Sequence, residues 1–275
     1  MRTPACLIAV LFPAVLSGCS PMMAVGMAGQ IVNRIGDSVY DKPYISDTRP
    51  TINPNDVALT NLNLGIEYMR LGKFELAMEK LQYARSAKPD YAPVYDALGL
   101  LYQRLGQPQE AEQYFQQALK LDKDNPSTLN NYGQFLCSED RMDDAEQHFL
   151  AAADNPLYRT PEIPYTNLGT CAYLHDQPEK AVDYYRKALS LNPYVGYALI
   201  NMAEISCDQS DYASARDYLD RFLVYNVQSP QTLWLGIRIE RELGDKNKVS
   251  SYALLLRNKY PDSKEAQLLQ ESGIR

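Results

Sequence analysis

The sequence predicts an all-α protein: a right-handed superhelix, or solenoid, of six helix-turn-helix repeats with a C-terminal capping helix. Three observations carry that prediction. Gly65, Gly99 and Gly133 lie 34 residues apart, Gly169 follows 36 later, and Ala203 and Ile237 continue the column at 34. Twelve residues after each small residue stands Ala77, Ala111, Ala145, Ala181 or Ala215, and four further on Leu81, Phe115, Phe149, Tyr185 or Leu219. Pro89, Pro193 and Pro261 close their repeats. The residue types supply the reason, since two antiparallel helices cross closely only where side chains are small. Large residues at three- and four-residue spacing around those points form the apolar stripe each helix buries. One such pair cannot cover its own apolar face, so stacking of at least about three is required.

Residues 1–18 read as a lipoprotein signal peptide, with Arg2 at the charged end and an apolar run from Leu7 to Val15 that is too short to span a bilayer. Leu16-Ser17-Gly18-Cys19 resembles the bacterial lipobox, which implies cleavage before Cys19 and acylation of that cysteine. Inner-membrane lipoproteins carry Asp after the lipidated Cys. Ser20 stands there instead, so the resemblance implies an outer-membrane, lipid-anchored, periplasm-facing protein. Two or more acyl chains hold a protein on a membrane stably where one does not.

Residues 19–57 show no sustained period and carry Pro21, Pro43, Pro50 and Pro54, together with Gly26, Gly29 and Gly36. This segment reads as an extended tether, with a short helix conceivable from Ile31 to Tyr40.

The repeats follow as 58–91, 92–125, 126–159, 162–195, 196–229 and 230–263. Their period and columns resemble the tetratricopeptide family. The two additional residues before Gly169 sit among Pro156, Pro161 and Pro164, which predicts a longer turn there. The last repeat is degenerate, with Ile237 in the small column and Val249 where alanine belongs, as befits a terminal unit. Residues 264–275 form the cap, with a final helix expected over Lys264 to Gly273.

A chain of 275 residues, 45% hydrophobic, buries a substantial core. Its formal charge of -7, without long like-charge runs, argues against a nucleic-acid partner. The 21 tyrosines against 6 phenylalanines suit a fold that needs large rings with one wet edge. No Gly-rich phosphate loop, nucleophile elbow or zinc signature appears, so neither catalysis nor a cofactor is expected. His148 and His175 read as polar helix residues, and no metal site is expected from them. Glu139, Asp140, Asp143 and Asp144 read as a solvated cap at a helix start.

Beyond Cys6 and Cys19, three cysteines remain. Cys137 and Cys171 fall near the ends of the first helices of adjacent repeats. A bridge between them and a set of three buried free thiols are both compatible with the pattern, and Cys207 is unpaired in either case.

In a tetratricopeptide superhelix the first helices line a concave wall, and the second, fifth, ninth, twelfth and thirteenth repeat positions face it. These positions hold Leu59, Leu62, Ile66 and Met69 in the first repeat, and Leu100 and Arg104 in the second. In the third they hold Ser127, Asn130, Gln134, Cys137 and Ser138. A groove apolar at one end and polar beyond is expected, occupied either by an apolar or amphipathic segment of a partner or by the tether itself, with Ile31 to Tyr40 folded back over the strip. Trp234, at the fifth position of the last repeat, is either a second contact point or packed on the terminal helix.

Six repeats behind a lipobox, with Asn131-Tyr132-Gly133-Gln134-Phe135-Leu136-Cys137, Asn167-Leu168-Gly169-Thr170-Cys171 and Glu271-Ser272-Gly273-Ile274, resemble the type IV pilus biogenesis lipoproteins PilF and PilW. The resemblance implies a pilotin, whose partner is the secretin subunit that it brings to the outer membrane and helps to multimerise. Two other lipoprotein roles fit the same repeats. One is a scaffold recruiting periplasmic proteases or cell-wall hydrolases. The other is a subunit of the outer-membrane β-barrel assembly machine.

Overall fold

A computed structural model of the chain describes residues 53–274. The signal peptide, Cys19, the Ile31–Tyr40 segment and the tether up to residue 52 lie outside the described residues. Within them the structure is an all-α repeat solenoid. Its helix pairs are α1 Pro54–Arg70 with α2 Phe74–Ala87, α3 Ala92–Arg104 with α4 Pro108–Leu121, and α5 Pro126–Ser138 with α6 Met142–Ala153. They continue as α7 Glu162–Leu174 with α8 Pro178–Leu191, α9 Gly196–Asp208 with α10 Tyr212–Tyr225, and α11 Pro230–Leu243 with α12 Lys246–Lys259. Helix α13, Lys264–Glu271, follows.

Pro54 belongs to the first helix rather than to the tether. It occupies the first turn, where a missing N–H costs nothing, and the Asn53 side chain accepts from the Asn55 N–H. Asn125, Ser229, Asp245 and Ser263 cap later helices in the same way. Between α6 and α7 the additional residues form an irregular turn around Pro156.

One column of the repeat is visible only in the backbone. The turn inside each pair contains a residue at positive φ: Gly72, Gly106, Asp140, Asp176, Ser210 and Gly244, at φ 56–79°. Glycine adopts this conformation freely, and Asp and Ser stand there at a cost. Because three of the six are not glycine, the column does not announce itself in the sequence.

The small-residue column works by direct contact. A Cβ on Gly99 would meet the Phe115 ring at 2.8 Å, and one on Gly169 the Tyr185 ring at 2.8 Å. In the last pair the sizes are exchanged. Ile237 and Ala253 are both buried in the terminal cluster, and the close approach moves back one residue, where a Cβ on Gly236 would meet Tyr252 at 2.8 Å.

The core runs from pair to pair. Its largest cluster joins residues from α4 to α9, including Phe115, Phe135, Phe149, Tyr185 and Leu199. At the C-terminal end Leu233, Ile237 and Leu256 are closed over by Ala266 and Leu269 of α13. At the N-terminal end the column of Leu98, Leu168 and Met202, each buried by the preceding pair, holds Leu64, which is 41% exposed. Around it Thr60, Asn63 and Glu67 replace Val94, Ala97 and Leu101, so this outer face is largely polar.

Candidate functional site

The first helices pack closely on one another in succession (α1 with α3, α3 with α5, α5 with α7, α7 with α9, α9 with α11), whereas among the described residues the second helices stand further apart and meet only through long side chains, such as Arg85 of α2 with Tyr114 of α4 and Tyr184 of α8 with Glu146 of α6. Packing tighter on one side than the other curves the stack, and puts the first helices on its inner wall.

A ladder of side-chain bonds joins the repeats along that wall. Arg104 Nη1 donates to the Met69 carbonyl at 3.2 Å, tying α3 to the C-terminal end of α1, where a cation is favoured. Asn131 Nδ2 donates to Asp96 Oδ2 at 2.9 Å, and Gln103 Nε2 to Ser138 Oγ at 3.2 Å. Asn167 Nδ2 donates to Asn130 Oδ1 at 2.8 Å, and Arg238 Nη2 to Asp208 Oδ1 at 2.8 Å. Cys137 and Cys171 form a disulfide between α5 and α7, with Cα atoms 5.9 Å apart. Cys207 is a free, buried thiol, and burial pushes it up.

Two of the acids in this wall hold their protons more tightly than usual. Burial lifts the Asp96 carboxyl to about 6, against the lowering effect of its bond from Asn131 and of the neighbouring Thr128 hydroxyl, and its Oδ1 is shielded without a partner. Burial likewise raises Glu204, aided by Asp208 and opposed by Arg238.

The expected groove residues divide into two sets. Leu59 and Ile66 are 47% and 45% exposed and lie seven residues apart on one face of α1. Leu62 and Met69, at 5% each, do not face the groove. They are core residues, clustered with Ala77 and Leu81 of α2 and with Val94, Leu98 and Leu101 of α3. The reason is the contact between α1 and α3, which covers the edge of α1 turned toward the next repeat. Leu100 is half-buried between two core clusters, and the Arg104 side chain is engaged in the ladder. Trp234 packs partly buried against the terminal cluster that includes α13.

The wall is not polar throughout its remainder. Ser127, Gln134 and Ser138 are exposed in the third repeat, but Ile163, Leu174 and Tyr197 are exposed at groove positions of the fourth and fifth. Nearby, Tyr194 meets Tyr225 edge-on at 4.8 Å, with Val224 and Val227 exposed beside them. Apolar surface therefore occurs in two zones with a polar stretch between.

The expectation of no metal ligands missed a grouping. Cys171 precedes His175 by one helical turn, and Cys137, Cys171 and His175 offer ligand atoms all within 4.8 Å of one another. The signal, Cys-x-x-x-His on one helix, was present in the sequence. The acidic patch is more than a solvated cap: Arg141 bridges Glu112 of α4 at 2.6 Å and Asp144 at 2.9 Å. The bonds from Arg141 and from the Tyr132 hydroxyl hold Glu112 below the usual carboxylate range, against its partial burial and the nearby Asp144.

No helix among the described residues is long and apolar enough to cross a membrane. Models of the tetratricopeptide repeat match residues 92–125 and 164–194. The chain is 32% identical over 209 residues to the type IV pilus assembly protein PilF of Pseudomonas aeruginosa, covering 76% of this chain and 83% of that protein. The solved structure of Pseudomonas aeruginosa PilF superimposes with a TM-score of 0.70 at 31% identity, over 80% of this chain and 99% of that one. The crystal structure of PilW, described as a widely conserved type IV pilus biogenesis factor, gives a TM-score of 0.70 at 27% identity, over 78% and 99%.

Proposed function

The chain belongs to the type IV pilus biogenesis family of PilF and PilW, and from that premise we propose that it is a pilotin: an outer-membrane lipoprotein that binds the secretin subunit, brings it to that membrane and promotes its multimerisation. The protein acts by binding and catalyses nothing itself. The observation that carries the reading is the exposed Leu59 and Ile66 pair on the inner wall of the first repeat, next in sequence to the lipobox tether. A secretin subunit has to keep apolar surface out of water until it reaches lipid. A short apolar strip on a rigid helix suits an amphipathic segment through i and i+7 contacts. An anchor at Cys19, forty residues before Leu59, would keep that segment near its destination.

The test is a deletion strain probed for heat-resistant secretin multimers in separated membranes. It is complemented with the wild type, with Leu59→Ser/Ile66→Ser, and with Cys19→Ser. Loss of outer-membrane multimers in the deletion and in the Leu59→Ser/Ile66→Ser strain is expected. Abundant outer-membrane multimers without the protein would overturn the proposal.

A further inference from the structure

The cluster of soft ligands where α5, α6 and α7 meet has no part in the binding role above. Cys137 lies in the last turn of α5, Met142 opens α6, Cys171 lies in the last turn of α7, and His175 follows as its C-cap. Cys171 Sγ is 3.8 Å from His175 Nδ1 and 3.2 Å from Met142 Sδ. Ligand atoms sharing one tetrahedral ion at bonds of about 2.0–2.3 Å stand roughly 3.5 Å apart, so these two spacings match a common ion, while the Cys137 and Cys171 sulfurs, now covalently bonded, have to separate by about 1.5 Å once the bridge opens. Cys171 and Met142 are buried, which keeps water and other hard oxygen ligands away. Three sulfurs and one imidazole make a soft donor set, and a thioether among them favours copper(I) over zinc(II).

We propose that the chain with its Cys137–Cys171 bridge opened binds one copper(I) ion through the two thiolates and His175 Nδ1, with the Met142 thioether as fourth ligand. The bridge opens by exchange with a dithiol reductant. The S–S bond breaks, the chain gains two electrons and two protons, and the reductant leaves as a disulfide. Copper(I) then displaces both thiol protons into solvent. In the bridged form Nδ1 lies 2.8 Å from the Cys171 carbonyl and carries the imidazole proton. Ion binding needs the other tautomer; Nε2 is buried without a hydrogen-bond partner in the bridged form, and Asp140 Oδ1, 3.4 Å away, has to close in to accept its proton. The ion joins α5 to α7 at the same place as the disulfide, so the third and fourth repeats stay cross-linked in the reduced chain.

The experiment uses the full chain in detergent, reduced anaerobically with a phosphine, freed of the reductant by gel filtration, and titrated with copper(I) against a chromophoric copper(I) chelator. Cys207→Ser is the background, to remove a competing buried thiol. One equivalent is expected to bind, giving sulfur and nitrogen scatterers in the X-ray absorption spectrum, while the unreduced chain binds none. Cys171→Ser is expected to abolish retention, and Met142→Leu and His175→Gln to weaken it about tenfold each, with their melting curves showing that they fold. Failure of the reduced chain to hold copper(I), equal retention by Cys171→Ser, or retention of zinc(II) but not copper(I) would each overturn the assignment.

Discussion

The side-chain amide of Asn131 donates to Asp96 Oδ2 at 2.9 Å across the α3–α5 contact and leaves Oδ1 buried without a partner. The wall that joins the second and third repeats thus contains a half-satisfied acid. Burial raises its folded value to about 6, above an unfolded value of about 3.9, so the folded state holds this proton more tightly. The stability that the proton confers is complete below about pH 4 and is lost as pH rises through 6. At pH 7 the buried charge costs up to about 3 kcal/mol. Asp96→Asn keeps an acceptor for Asn131 and is expected to raise stability by about 1–3 kcal/mol at pH 7, with no gain at pH 4. Urea unfolding at the two pH values decides it, and an equal gain at both would rule out the titration as its cause.

Gly99→Ala places a methyl group 2.8 Å from the Phe115 ring, and Phe115 is fully buried and cannot turn away. Alanine gains about 1 kcal/mol of helix propensity over glycine, but overpacking costs about 1–3 kcal/mol. A net loss is expected at Gly99, and a smaller one at Gly133, where the corresponding approach is 3.0 Å. Thermal melts that rank the two the other way would refute the crossing-distance argument.

Ser210 sits at φ 64° in the turn before α10. Ser210→Gly relieves that conformation and is expected to stabilise the chain by up to about 1 kcal/mol. A chemical denaturation midpoint lower than wild type would show that the serine has a role its backbone angle does not reveal.

The Cys137–Cys171 bridge closes a loop across a separation of 34 residues. In the chain-entropy model this contributes about 4 kcal/mol. The double variant Cys137→Ala/Cys171→Ala should lose most of it, as should the wild type unfolded under reducing conditions. Matching urea midpoints for the oxidised wild type and the variant would mean that the bridge constrains nothing.

Leu59 and Ile66 can be separated from Leu62 by stability alone. Serine at either exposed position is expected to change stability by less than about 0.5 kcal/mol. Leu62→Ala, in the cluster shared by α1, α2 and α3, is expected to cost about 2–5 kcal/mol. Circular dichroism melts of the three variants check this. A large loss at Leu59 or Ile66 would assign them to the fold and remove the basis for using them as binding probes.

Much of the site was readable only in outline. Spacing placed Leu59, Leu62, Ile66 and Met69 on one broad apolar stripe of α1, because helical period alone does not separate a face buried by the next helix from one that lines a groove. The contact between α1 and α3 divides them. Ile237 shows the same limit in the core. Its column is correct, but the close contact falls on Gly236, since an isoleucine at the crossing point shifts the approach by one residue.

The sequence by itself determined the repeat, its register, the paired helices and the terminal helix, because size and polarity recurring every 34 residues are local properties that each pair expresses in the same way. Tertiary structure alone decided which apolar residues remain exposed, that Asp96 meets Asn131, and that Cys137, Met142, Cys171 and His175 converge. Those outcomes depend on where one pair comes to rest against the next. That placement is set by the fit of many side chains together, and no single position in the repeat records it.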